Sequence, residues 1–346
     1  MSGLAAMRDL QRRWREQLAM HFPGVLVCVV IALAATFVSE HYGGPQLLYA
    51  LLIGLAFHFL NGDPRVVQGI NFCGRTVLRV GVALLGARIT FAQVAELGPK
   101  TALLLVMAVL LTIVFGLVLA RWLGCARDEG VLTGSAVAIC GASAALAVSS
   151  VLPQTRENER FTLLAVVGVT VLSTVAMVVY PFSLNAIGLT PAQSGIVLGG
   201  SIHDVAQVVA AGMMLGPQAG DTATLVKLFR VMLLMPVVLV IAVLYRNHPG
   251  VKTPETEVPL IPGFLLAFIV LVMLASVGTI TPDMARVAGD ASRWMLVTAI
   301  AAAGVKTSFE DLLKLGWKPV ALLLGETVFI VAFVVAGVLL LRLGAA

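Results

Sequence analysis

The strongest constraint on this chain is a series of about eleven apolar blocks, most of them close to the length that crosses a bilayer. A hydrocarbon core of roughly 30 Å takes about 20 helical residues. The blocks run Gly24–Ser39, Pro45–Leu60, Gly74–Gly86, Thr101–Ala120, Gly130–Leu152, Phe161–Tyr180, Ser194–Leu215, Thr222–Tyr245, Pro259–Gly278, Ala291–Val305 and Pro319–Leu341. They lack strand alternation and are too long for barrel strands, so they read as helices, which satisfy their own backbone in lipid. Hydrophobic residues make up 59% of the chain and charged residues only 12%, against about 25% charged in soluble proteins. The expectation is an all-α polytopic protein of an inner (plasma) membrane, in contact with the lipid bilayer. Residues 1–23 form a cytoplasmic N-terminal segment, and residues 24–346 form one transmembrane domain.

Charge gives the orientation. Met1–Met20 has no apolar core and carries Arg8, Arg12, Arg13 and Arg15, so it reads as a cytoplasmic lead-in and not as a cleavable signal. The net charge of +5 is mostly this topology signal; nothing in it points to nucleic acid. Cys28, Cys73, Cys125 and Cys140 are scattered, without a CxxC pair or metal-ligand spacing, so neither a disulfide nor a metal is expected. No GxxxxGK[ST] loop occurs, which argues against an ATP-driven pump. No cofactor is expected.

The chain also repeats itself. Arg75–Lys100 aligns without a gap on Arg293–Lys318: Arg75 with Arg293, Leu78 with Leu296, Ala83 with Ala301, Gly86 with Gly304, Phe91 with Phe309, Leu97-Gly98 with Leu315-Gly316, and Lys100 with Lys318. The repeat-related segments extend over 75–120 and 293–341. The copies lie seven spans apart, and an odd separation turns one upside down, as in alternating-access transporters. A duplication without transport is the plainer alternative. A shorter echo links Val131-Leu132-Thr133-Gly134-Ser135 with Val197-Leu198-Gly199-Gly200-Ser201. Gly-Ser pairs let a membrane helix break where its backbone lines a cavity, and the freed N–H groups suit an anion. The alternative is close helix packing through small residues. These two segments either cross the membrane or enter as re-entrant hairpins.

Ionisable residues in membrane helices cost roughly 2.5–3.5 kcal/mol each on insertion scales. His203 and Asp204 are adjacent, Gln207 lies one turn on from His203, and Lys227 and Arg230 sit at i, i+3 in the next span. Together they can build an anion pocket with a proton acceptor; the plainer reading has Asp204 neutralising Lys227 or Arg230 as a structural ion pair. Glu326 lies inside the last apolar block. It is a candidate for proton or sodium coupling, unless it pairs with Arg293 or Arg79.

Several of these stretches have a familiar form. NFCGRTVLRVGVALLGARIT (Asn71–Thr90), GSAVAICGASA (Gly134–Ala144), GGSIHDVAQVVAAG (Gly199–Gly212), TLVKLFRVMLLMPVV (Thr224–Val238), SRWMLVTAIAAAGVKTS (Ser292–Ser308) and the Gly325-Glu326-Thr327 helix resemble the YeiH-like family of bacterial membrane proteins, a family labelled as sulfate exporters. The resemblance covers nearly the whole chain. It implies a bacterial inner-membrane transporter, distantly akin to the cation/proton antiporter and bile-acid symporter folds with their inverted repeats and broken helices. The candidates it implies are Ser135, Cys140, Gly141 and Ser143 in the first segment. Gly200, Ser201, His203, Asp204 and Gln207 follow in the second, then Lys227 and Arg230.

The function expected is secondary transport of a small anion, such as sulfate, sulfite or an organosulfonate, coupled to H⁺ or Na⁺ through Asp204, His203 or Glu326. The main rival is a cation/proton antiporter that uses Asp204 and Glu326. An intramembrane hydrolase built on Ser201, His203 and Asp204 is disfavoured, because adjacent helical residues point about 100° apart. A sensory or structural role would need an effector domain, and none is visible. A homodimer is expected by analogy with transporters of this general kind.

Overall fold

The computed structural model describes residues 2–43, 46–153, 155–246, 263–308 and 316–344. In chain order the helices are α1 (Ser2–Tyr42), α2 (Gln46–Ala56), α3 (Val67–Arg88), α4 (Phe91–Glu96), α5 (Gly98–Leu123), α6 (Arg127–Ala138) and α7 (Ala142–Ser149). They continue with α8 (Arg156–Ala186), α9 (Pro191–Ser201), α10 (Val205–Met214), α11 (Pro217–Tyr245), α12 (Gly263–Ser276), α13 (Pro282–Lys306) and α14 (Trp317–Leu340). Every apolar block of the sequence carries helix, and no strand occurs among the described residues.

Among the described residues six helices are long and apolar enough to cross a membrane: the Ala19–Tyr42 part of α1, α3, α5, the Phe161–Ala186 part of α8, α11 and α14. The eleven expected crossings are not reproduced at full length. The helices α2, α10 and α12 are shorter, and the blocks at 130–152 and 194–215 are each split into two half-helices. Apolar run length in the sequence does not register where a helix is interrupted.

Helix starts follow local chemistry. At α9, Thr190 and Gln193 cap each other: the Gln193 N–H donates to Thr190 Oγ1 at 3.2 Å, and the Thr190 N–H donates to Gln193 Oε1 at 3.1 Å. Pro191 takes the first helical position, where its missing N–H costs nothing. At α13 the cap is one-sided: Thr281 Oγ1 accepts the Met284 N–H at 3.3 Å, ahead of Pro282.

The chain divides into two compact units, one holding the residues through Arg88 with Ile280–Thr307, the other Ile89–Thr279 with the residues from Ser308. In the first, α3 and α13 run antiparallel. Gly74 faces Ala302 and Lys306, Gly81 faces Met295 and Leu296, and Ser292 Oγ donates to the Gly81 carbonyl at 2.6 Å. Gly54 of α2 meets Gly304 of α13 backbone to backbone, as Gly24 meets Gly69 between α1 and α3. Without a hydrophobic driving force between helices in lipid, such close approach supplies the packing.

In the second unit α5 and α14 are also antiparallel. Gly337 packs on Leu104, Gly325 on Leu119, and the Phe115 ring stacks on Phe329 at 4.4 Å. These are the helices that follow the matched sequence segments, just as α3 and α13 contain them. The matched Gly98 and Gly316 both have positive φ, +67° and +80°, the first opening α5 and the second directly before α14, a conformation for which glycine has no steric penalty. The matched residues Phe309 and Leu315 lie outside the described residues.

A Cβ at Gly54 would lie 2.4 Å from the Ala301 carbonyl oxygen, whereas one at Gly62 meets nothing within 4 Å. Gly54→Leu is therefore expected to destabilise the protein by at least about 1–3 kcal/mol. Gly62→Ala should stay within about 0.5 kcal/mol of the parent. Thermal unfolding of the purified protein in detergent compares the two.

Candidate binding site at two broken helices

The second unit contains both helix breaks. Between α6 and α7, Ile139 leaves the helical region at φ −116°, ψ −85°, and Gly141 adopts φ +63°, ψ −124°. A side chain at Gly141 would be strained there, so the i→i−4 ladder stops. Between α9 and α10, Ile202 and Asp204 are extended, with ψ of 143° and 142°. The helix restarts behind Asp204, whose carboxylate accepts the Ala206 N–H at 2.7 Å as an N-cap. The two breaks touch: a Cβ on Gly141 would lie 3.5 Å from His203 Cβ.

A break inside lipid orphans carbonyls at one helix end and N–H groups at the next. The carbonyls of both breaks converge on α11. Lys227 Nζ donates to Ile139 O at 2.5 Å and to Ile202 O at 2.9 Å. The Arg230 guanidinium donates to Ala138 O, Val137 O, Gly199 O and Ile202 O at 2.6–3.1 Å. Both side chains are fully buried, at 0% exposure. Each helix C-terminus carries about half a negative charge, so two cations here satisfy hydrogen bonds and dipoles together. The i, i+3 spacing of Lys227 and Arg230 puts both on the face of α11 that meets the breaks.

The N-terminal ends differ. Asp204 caps α10, and its own N–H donates to Ser173 Oγ of α8 at 3.0 Å. The N-cap residue of α7 is Gly141, which has no side chain to cap the first turn; the neighbouring Cys140 thiol takes the Ala144 N–H. Cys140 beside it is buried, and Ser143 in that turn is exposed. His203 Nε2 lies 3.0 Å from Thr327 Oγ1 of α14. The Thr327 hydroxyl also lies 2.6 Å from Leu323 O. Its one hydrogen serves either Leu323 O or a bare Nε2, and the His203 tautomer sets which of the two. His203 Nδ1 is buried without a hydrogen-bond partner. Gln207 sits near Ser173 and Thr174 through contacts of 3.5 and 3.4 Å.

The remaining sequence candidates fall in other places. Ser135 is buried one turn before the end of α6, and its hydroxyl has no partner. Ser201 donates to Val197 O of its own helix at 2.6 Å. Gly200 packs on Val334 and Leu105. Glu326 lies against α6, where Thr133 Oγ1 is 2.7 Å from its Oε1. Among the described residues its Oε2 has no hydrogen-bond partner; within the first unit, Arg293 donates to Gln46 at 2.9 Å.

The sequence echo aligned Ser135 with Ser201, yet the first break begins four residues past Ser135 and the second directly after Ser201. Gly134 is used in packing on Ile113, 3.0 Å from the site of a Cβ, and Gly141 makes the break. Sequence reading did not select Thr133, Ser173 and Thr327. Threonines and serines in membrane helices commonly bond back to their own helix, so their type carried no signal; only the position of Thr327 beside Glu326 did. The second unit also holds an apolar cavity of about 480 Å³ among Phe91, Leu105, Leu228, Phe229 and Phe268. Its lining gives an anion nothing to bond.

Arg230→Met would leave carbonyls of both breaks unbonded, at about 1–3 kcal/mol each. The expected result is a loss of more than 3 kcal/mol in thermal unfolding. Arg230→Lys should recover only part, because an ammonium has three donors for the four carbonyls that the guanidinium reaches.

Residues 23–323 match the family model described as conserved hypothetical protein 698. The chain is 50% identical to the UPF0324 membrane protein TauZ of Paracoccus pantotrophus, over 92% of this chain and 95% of that protein. It is 48% identical to a UPF0324 membrane protein of Chlorobaculum tepidum, over 92% of this chain and 89% of that protein. TauZ of Paracoccus denitrificans is 49% identical over 91% and 94%. No solved structure matches. The chain belongs to this UPF0324 family, the YeiH family that its sequence resembles, and is a multi-pass membrane protein.

Proposed function

We propose that the protein is a secondary transporter that moves a small anion, such as sulfate, sulfite or an organosulfonate, by alternating access. The observation that carries this reading is the pair of touching helix breaks whose carbonyl ends are tied to Lys227 and Arg230. A soluble core would not need such an arrangement; in a membrane it makes a polar centre in an apolar slab. The reading includes an inverted repeat of segments 75–120 and 293–341, which the antiparallel pairs α3–α13 and α5–α14 support.

Charge favours an anion over a cation. Lys227 and Arg230 bring about two positive charges, and two helix C-termini and two N-termini of about half a charge each cancel. Asp204 removes one. Roughly one positive charge remains for a ligand to neutralise. The first turn of α7, without a capping carboxylate, is the place for it, with its remaining backbone N–H groups and the exposed Ser143 hydroxyl as donors. Cys140 and Gly141 border this turn, and His203 faces Gly141 across the crossing. Asp204 already occupies the corresponding end of α10. The four sites Ser135, Gly200, Ser201 and Gln207 shape the surrounding packing in this reading.

A ligand that binds only the folded protein stabilises it, by about 2.7 kcal/mol at a hundredfold excess over Kd. Purified protein is expected to gain thermal stability with one of sulfate, sulfite or taurine, and not with chloride. Ser143→Asp places a carboxylate in the α7 turn and should abolish that gain while leaving the unliganded protein folded. A gain with Na⁺ alone, or none with any of these anions, would sink the anion reading in favour of the antiporter.

A further inference from the structure

The last helix carries two adjacent polar residues to two different partners. Glu326 reaches Thr133 on α6, and Thr327 reaches His203 at the second break. Glu326 is fully buried, and Oε1 lies where a Cβ on Gly116 would come within 2.5 Å. That same Gly116 position meets Gly130 O and Gly134 Cα. Gly116 therefore clears the space that the carboxyl fills, at a point where α5 and α6 approach glycine to glycine.

The decisive geometry is at Thr133. Its Oγ1 is 2.7 Å from Glu326 Oε1 and 2.9 Å from the Glu129 carbonyl oxygen. A hydroxyl has one hydrogen and two lone pairs. If Glu326 is a carboxylate, both neighbours of Thr133 are acceptors, and one contact has no proton between its oxygens. If Glu326 carries a proton on Oε1, the chain is complete: Glu326 O–H donates to Thr133, and Thr133 O–H donates to the Glu129 carbonyl. A bare carboxylate would also be a buried charge without a cation, which costs several kcal/mol or more.

The facing groups leave no other source of compensation. From α5 they are Gly116 and, one turn earlier, the buried Thr112 hydroxyl, which has no partner. From α6 they are Gly130, Thr133 and Gly134, with the Glu129 side chain turned to the Ala126 N–H. From α9, Gly200 packs on Val334 of α14, and from the second break His203 bonds Thr327. Among the described residues no charged side chain acts on the carboxyl.

We propose that Glu326 is the proton-carrying residue of this transporter, holding one exchangeable proton against Thr133. On release the proton goes to water at one membrane face, and the electron pair stays on the carboxylate. The Thr133 hydroxyl then turns to donate to Glu326 and gives up the Glu129 carbonyl. That exchange makes α6 and α14 a two-position element. Thr327 carries its position to His203, and so to the second break. The proposal deepens the transport reading and rests on it for its coupling step.

Infrared difference spectroscopy over a pH titration tests the proton directly, without any substrate. At neutral pH a carboxylic-acid C=O band is expected that disappears in Glu326→Gln. In Thr133→Val the band should persist at higher frequency, as for a carboxyl that has lost its hydrogen-bond acceptor. Absence of the band in the parent, or its survival in Glu326→Gln, overturns the proposal. Sulfite flux into liposomes tests the coupling. A gradient of one pH unit, worth a factor of about ten per proton, should accelerate the parent, and whatever flux Glu326→Gln retains should not respond to it. A parent that moves sulfite but ignores the pH gradient overturns the coupling role. No flux of sulfite, sulfate or taurine in the parent, with the band present, defeats the transport reading and leaves the proton site standing.

Discussion

The second unit depends on one interaction, the capture of two broken helix ends by Lys227 and Arg230. A carbonyl left unbonded in a membrane interior has no water to turn to, so a break is stable only where protein supplies the donors. Here two adjacent turns of α11 supply them to both breaks at once. The cations in turn could not be buried alone. Each side makes the other tolerable, and neither the half-helices nor the α11 side chains would hold this arrangement separately. This is why a pair of residues that looks like an anion trap in sequence also has a structural duty.

That duty changes how substrate recognition is assigned. Because Arg230 and Lys227 already donate to carbonyls, the anion of the proposed function would be held less by direct salt bridges than by the uncompensated field around them. The open donors are the remaining N–H groups at the start of α7, where glycine takes the capping position. The opposite end, at α10, is closed by Asp204. The asymmetry between the two breaks is therefore chemical: one is self-capped, the other is left for something else. A helix N-terminus that faces its own carboxylate has little use for an anion, whereas one that begins at glycine does.

Both units use the same device for close packing, glycine against glycine or against backbone, at Gly54–Gly304, Gly24–Gly69 and Gly116–Gly130. In lipid this gives the dispersion contact that water would otherwise drive by burial. It also clears room. The space at Gly116 that a Cβ would fill is where the Glu326 carboxyl lies, so close packing and a buried carboxyl depend on the same glycine.

How much of this was legible in the sequence differs from residue to residue. Apolar runs determined the helices, because a bilayer forces a spanning segment to bond its own backbone. The alignment of Arg75–Lys100 with Arg293–Lys318 picked out the helices that pair antiparallel, since each copy keeps its small residues at the contact. Lys227, Arg230, His203, Asp204 and Glu326 stood out because charge in an apolar block is expensive. What only the tertiary structure decided was where the helices break and what the polar groups face. The Gly134-Ser135 echo pointed four residues short of the first break, because a glycine can serve packing or a turn and its sequence neighbours do not say which. Thr133 and Thr327 were silent for a related reason: a threonine that bonds its own helix and one that also meets a glutamate or a histidine on another have the same local sequence. Partner choice across helices depends on distances that only packing sets.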